Sequence, residues 1–456
     1  MNNEITLGQA LDIAVEKQKK GRLQEAEDIY RNILEKYPES HNALHLLGLI
    51  KYQKGCYGDA IEKIAKAIKI KPDVAIYHHN LGMVYDRLGN FKKSEEHFRK
   101  ALEIRSDYPS AYLAYYNIAI SLRDRGKFLE AIKYYDKTIE LNPDFYDARW
   151  NRGLVLLFLG RFEQGWEEYE YRFKKESPID PRIFNGMKWD GSFLSGKRIL
   201  IVSEQGFGDN LQFLRYVPLV KEKGGYVILE CKRELKRLFE DFLGVDEFVE
   251  KKDRLDCRYD YYIHLMSLPR LFDTNLENIP NKIPYLKAGF KLSEDLMKEF
   301  ETEDFKVGIS WAGNPNQAND KERSVDFNKF ETLKIPGVKL FSLQKGRASE
   351  ELEDNEIVNL DMYIDDFADT ASIIDKLDLI ISVDTSIVHL AGAMNKPVWV
   401  LLSRPFDWRW LLDRKDSPWY PSMTLFRQPK KGDWNSVFES VKKELEMLVK
   451  SKKRNG

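Results

Sequence analysis

Cysteine is scarce in this sequence: Cys56, Cys231 and Cys257 are the only three among 456 residues. Their number is odd and no two form a Cys-x-x-Cys pair. Neither a disulfide framework nor a zinc site is expected, and a reducing compartment fits best. An excess of one charge is also missing. Lys and Arg number 72 against 73 Asp and Glu, a formal net charge of −1, which removes the general electrostatic reason to expect nucleic acid or an anionic membrane as a partner. Long apolar runs are absent too. Stretches such as Leu154–Gly160 fall far short of the roughly 20 residues that cross a bilayer, so no membrane span is expected. The N-terminus, Met-Asn-Asn-Glu-Ile-Thr, has neither a basic start nor an apolar core. No secretory signal is expected and the predicted setting is cytoplasmic. No Walker phosphate loop, Ser nucleophile elbow or His-Glu-x-x-His helix occurs, which removes the corresponding phosphate-binding, esterase and metalloprotease chemistries.

What is present begins with a repeat. Gly21, Gly55, Gly89, Gly126 and Gly160 are spaced by 34, 34, 37 and 34 residues. Five positions after each stands a small residue: Ala26, Ala60, Ser94, Ala131 and Gly165. Seven positions before each stands another: Ala14, Gly48, Gly82, Ala119 and Gly153. Nine positions after each stands a large one: Tyr30, Ile64, Phe98, Tyr135 and Tyr169. Pro38, Pro72 and Pro143 close three of the units. This pattern predicts pairs of antiparallel helices whose small residues let the backbones approach. The large residue is expected to fill the space against the neighbouring unit, and the prolines to end the second helix. Such units bury their apolar faces only by stacking, which predicts an α-solenoid of about five units over residues 1–177. Tyr112, Tyr115 and Tyr116 read as packing residues within it. Arrays of this kind bind peptides or partner proteins and can also dimerise, so a protein or peptide partner and a homo-oligomer are both open.

The period then changes. The stretch with Pro178, Pro181, Gly186, Gly191 and Gly196 reads as a linker over 178–196, packed on the next domain. β-rich runs are predicted at Arg198–Ser203, Tyr226–Glu230, Tyr261–Leu265, Lys306–Trp311, Lys339–Leu343, Leu377–Val383 and Pro397–Leu402, with helices between them such as Asn210–Lys223 and Arg233–Phe242. Alternation of this kind predicts parallel sheets covered on both faces. Two Rossmann-like halves facing a cleft, 197–303 and 304–432, fit the spacing. An amphipathic helix in 433–456 is expected to pack back on the first half.

Four strand ends offer chemistry. In Ser203-Glu204-Gln205-Gly206-Phe207-Gly208-Asp209-Asn210, a strand runs into a glycine turn and then a helix, the place where such folds bind ligands. Gly206 and Gly208 permit a close backbone approach, and Asp209 at the helix start could accept a proton or simply cap the helix. In Ser382-Val383-Asp384-Thr385-Ser386-Ile387-Val388-His389, an apolar strand ends at Asp384. Thr385 and Ser386 then open a helix whose free N–H groups suit a diphosphate. His389 lies one turn on and is either a ligand-facing or a structural histidine. The loop Trp311-Ala312-Gly313-Asn314-Pro315 through Asn319-Asp320-Lys321-Glu322-Arg323-Ser324 supplies Asn314, Lys321 and Arg323; either cation could neutralise a diphosphate, or the loop is simply solvated. Gln344 and Lys345 end a fourth strand. No Asp-x-Asp triplet occurs, so no metal is expected on a nucleotide sugar, and a helix end with cationic side chains would take that role.

These residues carry a resemblance. The Gly206–Asp209 and Ser382–Gly392 segments resemble the heptosyltransferase-like glycosyltransferases of GT-B fold. With Trp189-Asp190-Gly191, Trp311-Ala312-Gly313-Asn314-Pro315 and Trp408-Arg409-Trp410, the chain looks like bacterial tetratricopeptide-repeat glycosyltransferases, and its layout is similar to that of the O-GlcNAc transferases. The resemblance implies a metal-independent, inverting transfer of a sugar from a nucleotide-sugar donor, without a cofactor. Asp209 would be the general base. Gly206, Gly208, Asn314, Lys321, Arg323, Gln344, Lys345, Asp384, Thr385, Ser386 and His389 would lie on the donor side, and a protein acceptor would be guided by the repeats. Heptosyltransferases usually place a lysine where this chain has Asp320-Lys321-Glu322-Arg323-Ser324, which leaves the phosphate clamp open. Two other readings remain: a transferase acting on glycans or lipid-linked sugars with repeats for assembly, and a non-catalytic repeat scaffold.

Overall fold

The computed structural model describes residues 5–252, 257–316, 320–352 and 356–455. Asn319, part of the third strand-end loop, lies outside them. The chain divides into two compact units, Met1–Val155 and Leu156–Gly456.

The first unit is helical. Helices α1 (Leu7–Lys19), α2 (Leu23–Lys36), α3 (His41–Gln53), α4 (Tyr57–Ile70), α5 (Ala75–Arg87), α6 (Phe91–Ile104), α7 (Ala111–Asp124) and α8 (Phe128–Leu141) pair antiparallel, and α9 (Tyr146–Phe158) straddles the division. The repeating glycine ends the first helix of each pair. Gly21 has φ +74° and Gly55 φ +77°, a left-handed conformation that costs glycine nothing. There Gly21 N–H donates to the Gln18 carbonyl and Arg22 N–H to that of Lys17, 3.0 and 2.9 Å away, closing the helix end. The small residues sit where expected: a Cβ on Gly48 would meet Ile64 Cγ1 at 2.6 Å, and one on Gly82 would meet Phe98 at 3.0 Å. The large residue therefore first fills the gap inside its own unit. It also reaches the next unit, as expected, since Ile64 clusters with Leu81 and Val84. Tyr112, Tyr115 and Tyr116 pack on Phe145, Tyr134 and Tyr135.

The second unit opens with α10 (Phe162–Tyr169), so the boundary falls inside the fifth repeat and not at residue 177. The aromatic face of α10 explains this. Trp166 Nε1 donates to the Thr274 carbonyl at 3.1 Å, Phe162 stacks on Trp419, and Trp166 meets Phe213 and Trp408 edge-on.

The rest of this unit is built on two sheets, each wholly parallel. The first comprises β1 (Met187–Lys188), β2 (Arg198–Val202), β3 (Tyr226–Cys231), β4 (Glu247–Glu250) and β5 (Tyr261–His264), in the order β1-β5-β2-β3-β4. The second comprises β6 (Phe305–Ser310), β7 (Val338–Ser342), β8 (Ile357–Asn359), β9 (Leu379–Val383), β10 (Val398–Leu402) and β11 (Met423–Arg427), in the order β11-β10-β9-β6-β7-β8. Connecting helices are α11 (Phe207–Phe213), α12 (Val217–Lys221), α13 (Arg233–Phe239), α14 (Leu268–Leu271), α15 (Glu294–Glu299), α16 (Asp320–Arg323), α17 (Phe367–Asp375) and α18 (Ser386–Ala393). The segment read as a linker contributes β1, and its Trp189 is buried. The final helix, α19 (Trp434–Asn455), corrects another expectation. Its apolar stripe Val437, Phe438, Val441, Leu445 and Val449 packs into the core of the second sheet, with Val307, Trp311 and Phe330. No helix among the described residues is long and apolar enough to cross a membrane.

Candidate active site between the two parallel sheets

The carboxyl ends of the two sheets meet. A Cβ on Gly208, at the start of α11 after β2, would lie 2.7 Å from His389 Cδ2, on α18 after β9. Glycine at 208 is what lets the two helices touch, so the first two sequence motifs form one site.

Asp209 sits at its centre. Its Oδ2 accepts from the Gly206 N–H at 2.7 Å, and its Oδ1 pairs with Arg409 Nη2. The carboxylate is 16% exposed. Burial pushes its pKa up, against the pull of Arg409 and the Gly206 N–H. Asp209 thus caps its helix, as the structural reading holds, and keeps lone pairs for another partner. The turn before it is strained: Gln205 has φ +58°, which non-glycine residues rarely adopt. Gln205 Nε2 donates to the Tyr169 hydroxyl at 2.6 Å.

Glu204 anchors the motif. Arg172, fully buried, donates Nε and Nη2 to Glu204 Oε2 and Oε1 at 3.0 and 2.8 Å, and Glu204 Oε1 also accepts from Met266 N–H at 3.0 Å. This bidentate geometry fixes the strand end rigidly.

On the other side, Thr385 occupies the N-cap position of α18 but its side chain caps no N–H; its hydroxyl lies 3.2 Å from Ser382 Oγ. The first-turn N–H groups of α18 therefore keep their anion-binding capacity, and Ser386 stands half-buried among them. Asp384 Oδ2 accepts from Trp410 Nε1 at 2.8 Å, and its carbonyl accepts from Arg323 Nη1 at 3.2 Å. Burial, with Asp407 nearby, pushes the Asp384 pKa up to about 6. His389 is buried, stacked on Trp410 at 5.5 Å, with Nδ1 3.2 Å from the Tyr420 hydroxyl. Burial and the charges of Arg409 and Arg215 drive its pKa far down. The imidazole is neutral, so it brings no positive charge to a phosphate; any role there would be as an N–H donor.

The third motif is partly joined to this site. Gly313 makes room for the Arg323 guanidinium, whose Nη2 would be 2.1 Å from a Cβ at 313. Arg323 Nε is held by Asp320 Oδ1 at 3.0 Å. Lys321 is exposed on α16 and makes no hydrogen bond or ion pair with a described residue, and Asn314 is exposed in the turn. Of the two candidate cations, the structure brings Arg323 to the α18 entrance. Gln344 is buried, its Oε1 accepting from Ser310 Oγ, Trp311 N–H and Ala312 N–H at 3.0–3.2 Å. Lys345 is drawn to the 361–364 segment, pairing with Asp361 Oδ1 at 3.4 Å and the Ile364 carbonyl, and meets none of the other site residues. Among the described residues no group of three His, Cys, Asp or Glu side chains could hold a metal ion.

A hydrogen-bonding hub absent from the candidates is the turn after β10. Arg409 donates to Asp209, to Asp407 Oδ1 at 2.8 Å and to Gln212 Oε1 at 2.7 Å, while Trp410 holds Asp384 and Trp408 packs on Trp166. Burial opposes the Arg409 charge, but Asp407 and Asp209 raise its pKa above the usual arginine range. One tripeptide thus ties together both motif aspartates and the last repeat helix. Its signal was the Trp-Arg-Trp sequence itself; nothing in the sequence tied it to Asp209.

Comparison with known proteins bears mainly on the repeats. Tetratricopeptide-repeat family models match residues 14–40, 39–107 and 112–145. Protein FlbA of Caulobacter vibrioides is 28% identical over 420 residues, covering 84% of this chain and 69% of that protein. Solved structures of MamA (24% identity, 35% of this chain and 91% of that one, TM-score 0.32) and of Pseudomonas aeruginosa pilF (15% identity, 52% and 92%, TM-score 0.36) align with part of it. The chain therefore carries an N-terminal tetratricopeptide-repeat solenoid followed by an α/β part with two parallel sheets, and most of its length is similar to FlbA.

Proposed function

We propose that the α/β unit is a GT-B glycosyltransferase that moves a sugar from a nucleotide-sugar donor to a hydroxyl acceptor, with a protein as the acceptor presented by the repeats. The observation that carries this reading is the close approach of the Asp209-bearing turn to α18, Gly208 against His389, with Arg409 and Trp410 tying Asp209 to Asp384 just before the uncapped helix start. Asp209 takes the acceptor hydroxyl proton as that oxygen attacks the anomeric carbon from the face opposite the leaving group. The bond to the donor phosphate breaks, its electron pair leaves with the nucleoside diphosphate, and the configuration inverts. The N–H groups of α18 and the guanidinium of Arg323 stabilise the departing charge. Gln344 Nε2, unbonded to any described residue, offers a polar group beside the β6 end.

One observation favours a second reading, a non-catalytic scaffold: both Asp209 oxygens already have partners in Gly206 and Arg409. Thermal shift of the full chain with UDP, GDP, ADP, CMP and their sugars separates the two. A nucleotide that binds the folded state raises the melting temperature by mass action. Stabilisation by one nucleotide, weakened in Arg323→Ala, supports the transferase. No stabilisation by any of them would leave the scaffold.

A further inference from the structure

The neighbouring lysines Lys232 and Lys251 stand at the ends of β3 and β4, where the parallel ladder sets them side by side: Cys231 pairs with Glu250, and Lys251 N–H donates to the Cys231 carbonyl at 2.9 Å. Both side chains turn to the segment that carries Asp209. Lys232 Nζ donates to the Gln205 carbonyl at 2.8 Å and lies 4.6 Å from the centre of the Phe207 ring; Lys251 Nζ donates to the Ser203 carbonyl at 2.7 Å. Both are half-buried, and no carboxylate among the described residues comes within ion-pair distance of either. Another half-buried lysine of this sheet's surroundings is matched: Lys221 meets Asp246 at 2.7 Å. Burial, then the adjacent charge of Lys251, pushes the Lys232 pKa below the usual lysine range. Each ammonium has three N–H bonds and uses one on a carbonyl. Two half-buried, like-charged groups that make no ion pair with a described residue, with Asp209 and Glu234 acting on Lys232 only from further off, favour an anion between them.

We propose that Lys232 and Lys251 bind an anionic oxygen group, a carboxylate or a phosphate, carried by the acceptor beside Asp209. Placing the anion on the acceptor rests on the transferase reading, in which the first half takes the acceptor. The lysine pair as an anion site does not.

The test is ligand-observed NMR on the full chain with glucose, glucuronate and glucose 6-phosphate at constant ionic strength, in wild type and in Lys232→Gln/Lys251→Gln. Charged hydrogen bonds predict that at least one anionic sugar binds about tenfold or more tighter than glucose. Which of the two is preferred distinguishes carboxylate from phosphate. The double variant should lose that preference while melting normally and keeping any nucleotide-induced stabilisation. Equal binding of charged and neutral sugars to wild type, binding of none at millimolar concentration, or a preference that survives the double substitution would overturn the proposal. Anion preference without any nucleotide stabilisation would retain the site and sink the transferase reading.

Discussion

The two compact units differ in how completely they enclose their charged groups. In the repeats the pairs enclosed on both sides are neutral, as where His45 Nε2 lies 2.7 Å from Asn80 Nδ2 and His79 Nδ1 lies 2.8 Å from the Tyr108 hydroxyl, whereas the buried Glu27 carboxylate meets cations, Lys51, Lys54 and Arg31, that keep contact with solvent. The α/β unit has neutral pairs of this kind too, such as His389 with Tyr420, and adds enclosed ionic ones: Arg172 with Glu204, and Arg409 with Asp209. A repeat stacks only on its neighbours, and neutral pairs at the helix crossings limit the charge that each docking desolvates. Strand ends that must hold a site rigidly gain from bidentate ionic geometry, at the cost of desolvation. The difference is one of degree: the ion pairs with both partners enclosed stand at the strand ends of the α/β unit.

The largest effect expected is on chemistry. If the convergence of charges serves transfer, Asp209→Asn should still fold, with a lowered melting temperature softened by the Asp407 and Gln212 partners that Arg409 keeps, yet transfer about 10²–10⁴-fold more slowly, measured with whichever nucleotide sugar stabilises wild type. A full rate in this variant removes Asp209 as the base.

Next comes the ionic core. Arg172→Met leaves the Glu204 carboxylate, 1% exposed, without its buried counter-charge, and should cost about 3–5 kcal/mol. Adding Glu204→Gln should recover part of that loss, which calorimetric melting of the two variants would show. A loss below about 1 kcal/mol would mean that water or a rearranged partner reaches Glu204, and the contrast between the units would weaken.

Acid should act more strongly on the repeats than on the α/β unit. Burial lowers the pKa of His45 and His79 to about 4, while the unfolded chain titrates near 6.5. Between those values the unfolded chain binds more protons, so repeat stability falls as pH drops through 6.5 and the loss is complete near 4. It amounts to about 3 kcal/mol for each histidine. Asp384 behaves in reverse: its pKa is raised to about 6, so its proton uptake stabilises the folded α/β unit as pH falls through 6 and offsets the loss from His389, whose pKa burial drives down. Hydrogen exchange at pH 7 and pH 5 on the full chain should show faster opening in α3 and α5 than around β9. Uniform loss of protection would break the comparison.

The sequence made the repeats legible because their constraint is local. Each glycine, small residue and proline acts within about one turn or one crossing, and the spacing repeats it five times over. The strands leading into Asp209 and Asp384 were legible for the same reason, as buried apolar runs ending in polar turns. Edge strands β1, β4 and β8 were not: they are two to four residues long and partly exposed, too short to show a period. Arg409 was legible only as a motif because its partner Asp209 lies 200 residues away; that pairing depends on how two sheets face each other, which no local pattern encodes. The boundary at 155 was hidden because α10 keeps the repeat spacing while its Phe162 and Trp166 face a different core.

The smallest effect tests whether the repeats are as tightly specified as that local logic requires. A methyl at position 48 would sit 2.6 Å from Ile64 Cγ1 and 3.3 Å from the Ala60 carbonyl. Ile64 is β-branched and fully buried, so it cannot swing away without leaving its rotamer. Gly48→Ala should therefore cost about 1–3 kcal/mol by overpacking, although alanine is the better helix former. Gly58, on the partner helix α4, has nothing within 4 Å of its Cβ position. There the same substitution meets no clash, and helix propensity alone should stabilise the array by up to about 1 kcal/mol. The denaturation midpoint of the repeat transition reads both changes. Equal and positive shifts would mean that the small residue at the crossing is a matter of spacing in sequence and not of contact in space.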